Sequence, residues 1–175
     1  LTKSEERAVV EARDEGLAFF SRPAAEQARL VLHAWRDRSG WNELARAPSL
    51  EVAYAAEMPD GQKLCAARKT ILGVIGEAEP GKWTDITSLL AVVQQRHVDF
   101  LFCRRRTRRY AYYERADDGC IPYEGIYRRG TYHNYENRLD KRRHWGLVEG
   151  AYILSVLTEP LPWLGRVEIG LGKNG

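Results

Sequence analysis

Arginine and tyrosine side chains are interleaved along residues 104–143, the part of the sequence whose residue types could bind a ligand. Twelve cationic and six acidic side chains give this stretch a charge of +6, although the whole chain of 175 residues carries only +3. Seven tyrosines lie among these charges. Guanidinium groups pair with phosphate and aromatic rings stack on bases or sugars, so the combination favours a nucleic-acid surface. Two alternatives stay open: a basic patch that faces an acidic protein partner, and a solvated face.

The candidate phosphate-binding residues are clustered cations of this stretch. They are Arg104, Arg105, Arg106, Arg108, Arg109, Arg128, Arg129, Lys141, Arg142 and Arg143. The last three precede a predicted apolar helix, where positive charge and helix-end amides would act together on phosphate. That helix offers almost no polar side chain for reading bases, so the sequence predicts mainly non-specific binding of DNA or RNA.

Residues for catalysis, metal binding or cofactor binding are not recognisable in the sequence. The four histidines lack i, i+4 spacing and no Cys-x-x-Cys pair is present, so no zinc site is predicted. Gly170–Gly175 lacks the spacing and the Ser or Thr of a phosphate loop. Cys65, Cys103 and Cys120 are widely spaced and odd in number, which favours reduced thiols in a cytoplasmic protein. We therefore expect a non-enzymatic protein without cofactor.

Three helices and a hairpin would position the arginines. Apolar stripes predict helices over Leu64–Ile75, Asp85–Arg96 and Trp145–Leu157, with Thr84 as the cap of the second. The apolar neighbours of Trp83, Trp145 and Trp163 favour these residues as core anchors. The three helices and the C-terminal strand would share one core, formed by Ile71, Leu72, Ile75, Leu89, Leu90, Val93, Val148, Ala151, Leu154, Leu157, Trp163, Val167 and Ile169. Within the basic stretch, Asp-Asp-Gly at 117–119 favours a tight hairpin turn, because Asp-Gly tolerates positive φ. No apolar run approaches the ~20 residues that a membrane span needs.

The C-terminal residues 144–170 join an apolar helix, a double-proline break and an alternating segment. The prolines must end the helix, since neither supplies an amide donor. Arg166–Ile169 then alternates with period two, which predicts a strand with Val167 and Ile169 facing inward. A helix that runs through a tight break into a strand and a Gly-rich turn is typical of the last helix and wing of a winged helix-turn-helix. Lys82–Thr84 would be the first strand of that fold.

The run Trp-Gly-Leu-Val-Glu-Gly and the later Trp-Leu-Gly motif of this segment resemble C-terminal regions of large uncharacterised bacterial proteins, some of them helicase-associated. Residues 67–75, 80–86 and 98–101 carry the upstream part of the resemblance, which covers roughly residues 61–170. The resemblance implies a winged-helix architecture and a bias toward nucleic-acid work, without implying a reaction. Residues 104–143 are longer and richer in arginine than the resemblance leads us to expect.

The first sixty residues are predicted as a helical extension. Ser4 would cap a helix that ends near Phe20, and Ser21 with Pro23 would open a second helix that ends near Arg38. A short third helix would start at Trp41, and residues 48–60 would form a connector. The sequence thus predicts an α+β chain with a helical extension, residues 1–60, and a winged-helix-like domain with a hairpin insertion, residues 61–175.

Two hypotheses about function follow. The first is a nucleic-acid-binding accessory module of a larger bacterial protein, with DNA or RNA and the rest of the parent polypeptide or its partner subunits as partners. The missing initiator Met favours part of a longer protein. The second is a protein–protein scaffold module without nucleic-acid contact. The salt dependence of binding distinguishes the two hypotheses, because competing counterions steeply weaken binding to phosphates and should not weaken an apolar contact between proteins.

Overall fold

The described part of the chain is a helix-rich α+β structure with one small sheet. The computed structural model describes residues 13–52, 58–102, 123, 125–131 and 139–172. In chain order the elements are α1 (Asp14–Phe20), α2 (Ala24–Asp37), a 3-10 turn (Leu44–Arg46), β1 (Leu50–Val52), α3 (Gly61–Gly76), α4 (Ile86–His97), β2 (Ile126–Arg128), α5 (Lys141–Thr158) and α6 (Pro160–Trp163). The two strands pair antiparallel, with Glu51 opposite Tyr127. The α+β prediction is confirmed at this level.

Helix α5 supplies much of the hydrophobic core because apolar side chains lie nearly all round it. Tyr152, Ile153 and Val156 are fully buried. A helix with this distribution is covered on most sides, as its sequence predicts. Leu44 and Leu50, which precede residue 60, belong to the same core cluster. The predicted division at residue 60 stays a prediction, but residues on both sides of it share one core.

Aspartate caps fix where the three long helices after residue 60 begin. The side chain accepts the amide hydrogen of the residue three positions on in the pairs Asp60–Lys63, Asp85–Ser88 and Asp140–Arg143, at 2.8–3.0 Å. The predicted cap at Thr84 is therefore wrong by one residue. Helix α5 begins four residues before the predicted Trp145, so the basic Lys141–His144 run forms its first turn. An aspartate satisfies a helix-end donor that would otherwise have no partner.

The first strand and the wing strand predicted for a winged helix are both missing from the described residues. Lys82–Thr84 and Arg166–Ile169 are irregular, without a ladder partner among the described residues. The alternation in the second segment predicted chain extension, but a strand also needs a neighbour, and the described ladder joins β1 to β2. Gly165 adopts φ +62°, which turns the chain after α6. Of the elements predicted for a winged helix, the three helices are present and these two strands are not.

Helix α2 was predicted correctly, but its cap and the elements that follow it differ from the prediction. Pro23 occupies its N-cap position, with no side-chain cap from Ser21. The helix predicted from Trp41 is a 3-10 turn that starts three residues later. The predicted connector contains β1, because Leu50 packs in the core and its strand finds a partner far along the chain. The predicted cap Ser4 and the predicted hairpin around residues 116–119 lie outside the described residues.

The core predicted from apolar stripes is partly correct. Five of its members are buried: Ile71, Val93, Val148, Ala151 and Leu157. Five more are partly buried against the core: Leu72, Ile75, Leu89, Leu90 and Val167. Leu154, Trp163 and Ile169 are exposed, at 36%, 67% and 48%, so their predicted burial is wrong. Leu154 lies on an exposed side of α5, Trp163 is the last residue of α6, and Ile169 follows the turn at Gly165.

Candidate nucleic-acid interface

Three of the predicted phosphate-binding residues have described, exposed side chains. Arg128 and Arg129 lie at the end of β2, and Arg143 lies in the first turn of α5. The Arg129 guanidinium donates from Nη2 to the carbonyl oxygen of Leu50 at 3.1 Å, which ties it to the neighbouring strand. Arg104–Arg109 and the side chain of Arg142 lie outside the described residues, so their assignment to the site stays a prediction.

Lys141 is not on the surface, which corrects its predicted role. Its side chain is 5% exposed, and Nζ lies 2.9 Å from Asp99 Oδ1 and 3.2 Å from Glu149 Oε1. It also donates to the carbonyl oxygen of Phe102. A lysine that is buried and paired with two carboxylates inside the fold is not placed to contact a phosphate at the surface, because burial requires its charge to be paired.

The N-terminal end of α5 is less suited to phosphate than the sequence predicts. The Asp140 carboxylate accepts the amide of Arg143 at 3.0 Å, and its other oxygen lies 3.2 Å from His144 Nδ1. A carboxylate at this position uses one amide and places negative charge where a phosphate would lie. The exposed arginine side chains, rather than the helix end, are therefore the groups that can bind phosphate here.

A buried cluster is centred on Glu149 of α5. Tyr123 donates its hydroxyl hydrogen to Glu149 Oε2, and both residues are at most 3% exposed. Glu149 Oε1 faces Lys141 as an ion pair but has no hydrogen-bond partner in the described part of the chain. Burial raises the pKa of Glu149 to about 7, against the lowering effects of Tyr123 and Lys141. Burial beside this carboxylate also raises the pKa of Tyr123.

This cluster fixes both flanks of residues 103–122, the first part of the arginine-rich stretch. The Phe102 carbonyl accepts from Lys141, and the Phe102 and Tyr123 rings meet edge to face with centroids 5.3 Å apart. The amide of Tyr123 donates to the carbonyl of Leu139 at 2.9 Å. The residues before and after this stretch are therefore adjacent, and α5 holds them through Lys141 and Glu149.

The charge state of Glu149 gives a testable pH dependence. Its pKa is about 7 in the folded chain against an ordinary value of 4.5, so between these values the folded chain binds the extra proton. The free energy of unfolding should therefore fall as the pH rises through this interval, by up to about 3 kcal/mol. Glu149→Gln cannot ionise and should remove this contribution. Urea unfolding of both proteins across the interval measures it.

Glu168→Gln is the matched control, because Glu168 is exposed and its substitution removes the same charge. We expect its stability to follow the wild-type pH profile. Parallel profiles for the wild type and Glu149→Gln would contradict the protonation of Glu149 in the folded chain.

A second buried cluster joins the N-terminal residues to α3 through Arg68, and sequence reasoning missed it. Arg68 is fully buried, and its guanidinium contacts both Glu43 oxygens, through Nε at 2.8 Å and Nη2 at 3.1 Å. Its remaining hydrogens go to the carbonyls of Trp35, Arg38 and Trp41. All donors of this arginine thus have partners. The available signal was a charged residue between Leu64 and Ile71 on the apolar face of α3.

An open groove of about 720 Å³ lies on another part of the surface. The turn between α3 and α4 forms one wall and residues 165–170 form the other. Trp83 is 67% exposed in this groove, against the predicted role as a core anchor, whereas Trp145 is buried as predicted. A Cβ atom placed on Gly170 would lie 3.0 Å from the Trp83 ring, so a side chain at 170 would require the indole to move.

Comparisons of the chain with protein-family models, curated proteins and solved structures found no match. The resemblance to C-terminal regions of bacterial proteins therefore stays a prediction from motifs. Among the described residues, no helix has the length and apolar character needed to cross a membrane. The same part of the chain contains no group of three or more His, Cys, Asp or Glu side chains that could hold a metal ion. Cys65 is unpaired, and the other two cysteines lie outside the described residues.

Proposed function

We propose that the chain is a nucleic-acid-binding accessory module that contacts phosphates through its arginine-rich stretch without reading sequence. The observation that carries the proposal is the charge of +6 among seven tyrosines over residues 104–143. Phosphate contacts of this kind hold a protein on DNA or RNA and carry no base information. The module would belong to a larger bacterial protein, as the motifs of residues 61–170 suggest.

Two features of the described residues support this proposal. Arg128, Arg129 and Arg143 are exposed, and Arg143 lies on the same helix as the buried Glu149. That cluster ties down the chain on both sides of residues 103–122, which would limit the entropy lost when nucleic acid binds. Lys141 and the amide of Arg143 already have partners, so neither is among the proposed phosphate-binding groups.

The scaffold function is the second candidate, and the apolar groove favours it. Trp83 and Trp163 are each 67% exposed, and large exposed aromatic side chains are enriched in protein interfaces. The groove is lined by two acidic and two basic residues, so its net charge is zero: Glu79, Lys82, Arg166 and Glu168. A neutral apolar groove fits a polypeptide better than a polyphosphate, so this face could serve a protein partner while the arginine-rich stretch binds nucleic acid.

Replacing Arg104, Arg105 and Arg106 together with alanine should weaken binding to two unrelated oligonucleotides by about the same factor. Each lost phosphate contact should also reduce the salt slope for duplex DNA by about 0.9. Fluorescence anisotropy across a salt series measures both quantities. The matched control removes three exposed arginines elsewhere, Arg13, Arg29 and Arg96, and should lose much less affinity. Equal losses for the two triple variants would show an effect of net charge alone and would contradict the proposed surface.

A further inference from the structure

The segment after α6 has the alternating sequence of a strand, but it is irregular and has no ladder partner among the described residues. Residues 167–172 make no backbone hydrogen bond with any described residue, whereas the amide of Arg166 still donates to Leu161 at 2.9 Å. An extended segment with unpaired amides and carbonyls can accept a further strand. The segment therefore offers a pairing edge.

The apolar face of this segment becomes steadily more exposed along the chain. Val167 is partly buried against the core, Ile169 is 48% exposed and Leu171 is 101% exposed. Successive side chains of a strand point to opposite faces, so these three residues share one face when the segment pairs as a strand. Gly170, on the other face, lies against the Trp83 ring. The face that carries Ile169 and Leu171 is thus largely uncovered within the described part of the chain.

We propose that a second copy of the chain covers this face by antiparallel pairing of residues 166–172 about a two-fold axis at Ile169. In this register Ile169 meets its own counterpart, and Val167 meets Leu171 of the partner, so three apolar pairs line one face. Glu168 meets Gly170 and Arg166 meets Gly172, so no like charges lie opposite each other. The apolar pattern is symmetric about Ile169, which makes the segment complementary to itself.

A second copy is favoured over nucleic acid as the partner, because the charges on one face of the segment sum to zero and the other face is apolar. Arg166 and Glu168 are the charged residues of the segment. A nucleic-acid strand needs an excess of positive charge, which this segment lacks. The inference is independent of the proposed nucleic-acid function, since residues 104–143 take no part in it.

Leu171→Asp and Gly172→Asp test the pairing as a matched set, because each adds one negative charge at adjacent positions. Leu171→Asp places the charge in the apolar face and should weaken dimerisation by roughly tenfold or more. Gly172→Asp places it on the other face opposite Arg166 of the partner, and should keep or strengthen the dimer. A side chain fits at this position, since no atom lies within 4 Å of a Cβ there.

Sedimentation equilibrium over a concentration series measures the dimerisation constant, and circular dichroism verifies that each variant is folded. We expect a concentration-dependent dimer for the wild type, loss of dimer for Leu171→Asp and retention for Gly172→Asp. A wild type that stays monomeric throughout would overturn the proposal. Equal behaviour of the two variants would also overturn it, because pairing through this face must distinguish the two sides of the strand.

Discussion

Replacing Arg68 with alanine is expected to lower the free energy of unfolding by about 3–5 kcal/mol, because the change leaves the buried Glu43 carboxylate without its cation. Glu43 is 1% exposed and accepts two hydrogen bonds from Arg68 and one from Trp35 Nε1, at 2.8 Å. The carbonyls of Arg38 and Trp41 would also lose donors. Urea unfolding followed by tryptophan fluorescence measures the loss.

Arg46→Ala is the matched control for this prediction. Arg46 pairs with Glu159 at 2.9 Å, but its side chain is 47% exposed, so its removal should cost no more than about 1 kcal/mol. Replacing Glu43 and Arg68 together with methionine should restore part of the stability, because no unpaired charge is then buried. If Arg68→Ala cost as little as Arg46→Ala, the buried ion pair would not hold the N-terminal residues against α3.

Ile153→Ala is expected to lower the free energy of unfolding by about 2–5 kcal/mol, whereas Leu154→Ala should cost about 1 kcal/mol. The two residues are neighbours in α5, but Ile153 is fully buried and Leu154 is 36% exposed. Truncating the first leaves a cavity, and truncating the second mainly removes partly solvated surface. Chemical denaturation of the two variants measures the difference. A larger loss for Leu154→Ala would mean that α5 is rotated from the orientation described.

The helices could be predicted from sequence because their signals are local. Helix α3 begins at Gly61, three residues before the predicted Leu64, and helix α4 agrees with its predicted bounds to within one residue at each end. The three aspartate caps use side chains only three residues from their partners. Such interactions are completed within one turn of helix, so the sequence contains nearly all the information they need.

The sheet and the exposed face of α5 could not be predicted, because they depend on contacts distant in sequence. In the sheet, Leu50 of β1 lies opposite Arg128 of β2. Both strands have only three residues, and the residues next to them in sequence give no sign of this pairing. Leu154 is as apolar as Ile153, and only the packing of other elements decides which of the two is covered. The alternation of Arg166–Ile169 predicted a strand that is not present among the described residues, because pairing needs a second strand.

In the candidate site, too, the composition could be read from the sequence, but the contacts between side chains could not. The sequence identified the arginine-rich stretch, but it could not reveal that Lys141 turns inward to Asp99 and Glu149 while Arg143 stays exposed. Lys141 and Arg143 are only two residues apart in α5. Glu149 was recognisable as a polar residue in an apolar helix, and its partner Tyr123 lies 26 residues away. Burial of such pairs is a property of the assembled fold.

The salt dependence of nucleic-acid affinity tests the central claim most directly. Fluorescence anisotropy of the wild type with two unrelated duplex oligonucleotides would give the dissociation constant at each salt concentration. Binding through at least three phosphates predicts a slope of log affinity against log salt near −3 or steeper, with similar affinities for both sequences. No binding at low salt, or an affinity that does not change with salt, would contradict the account and favour the scaffold function.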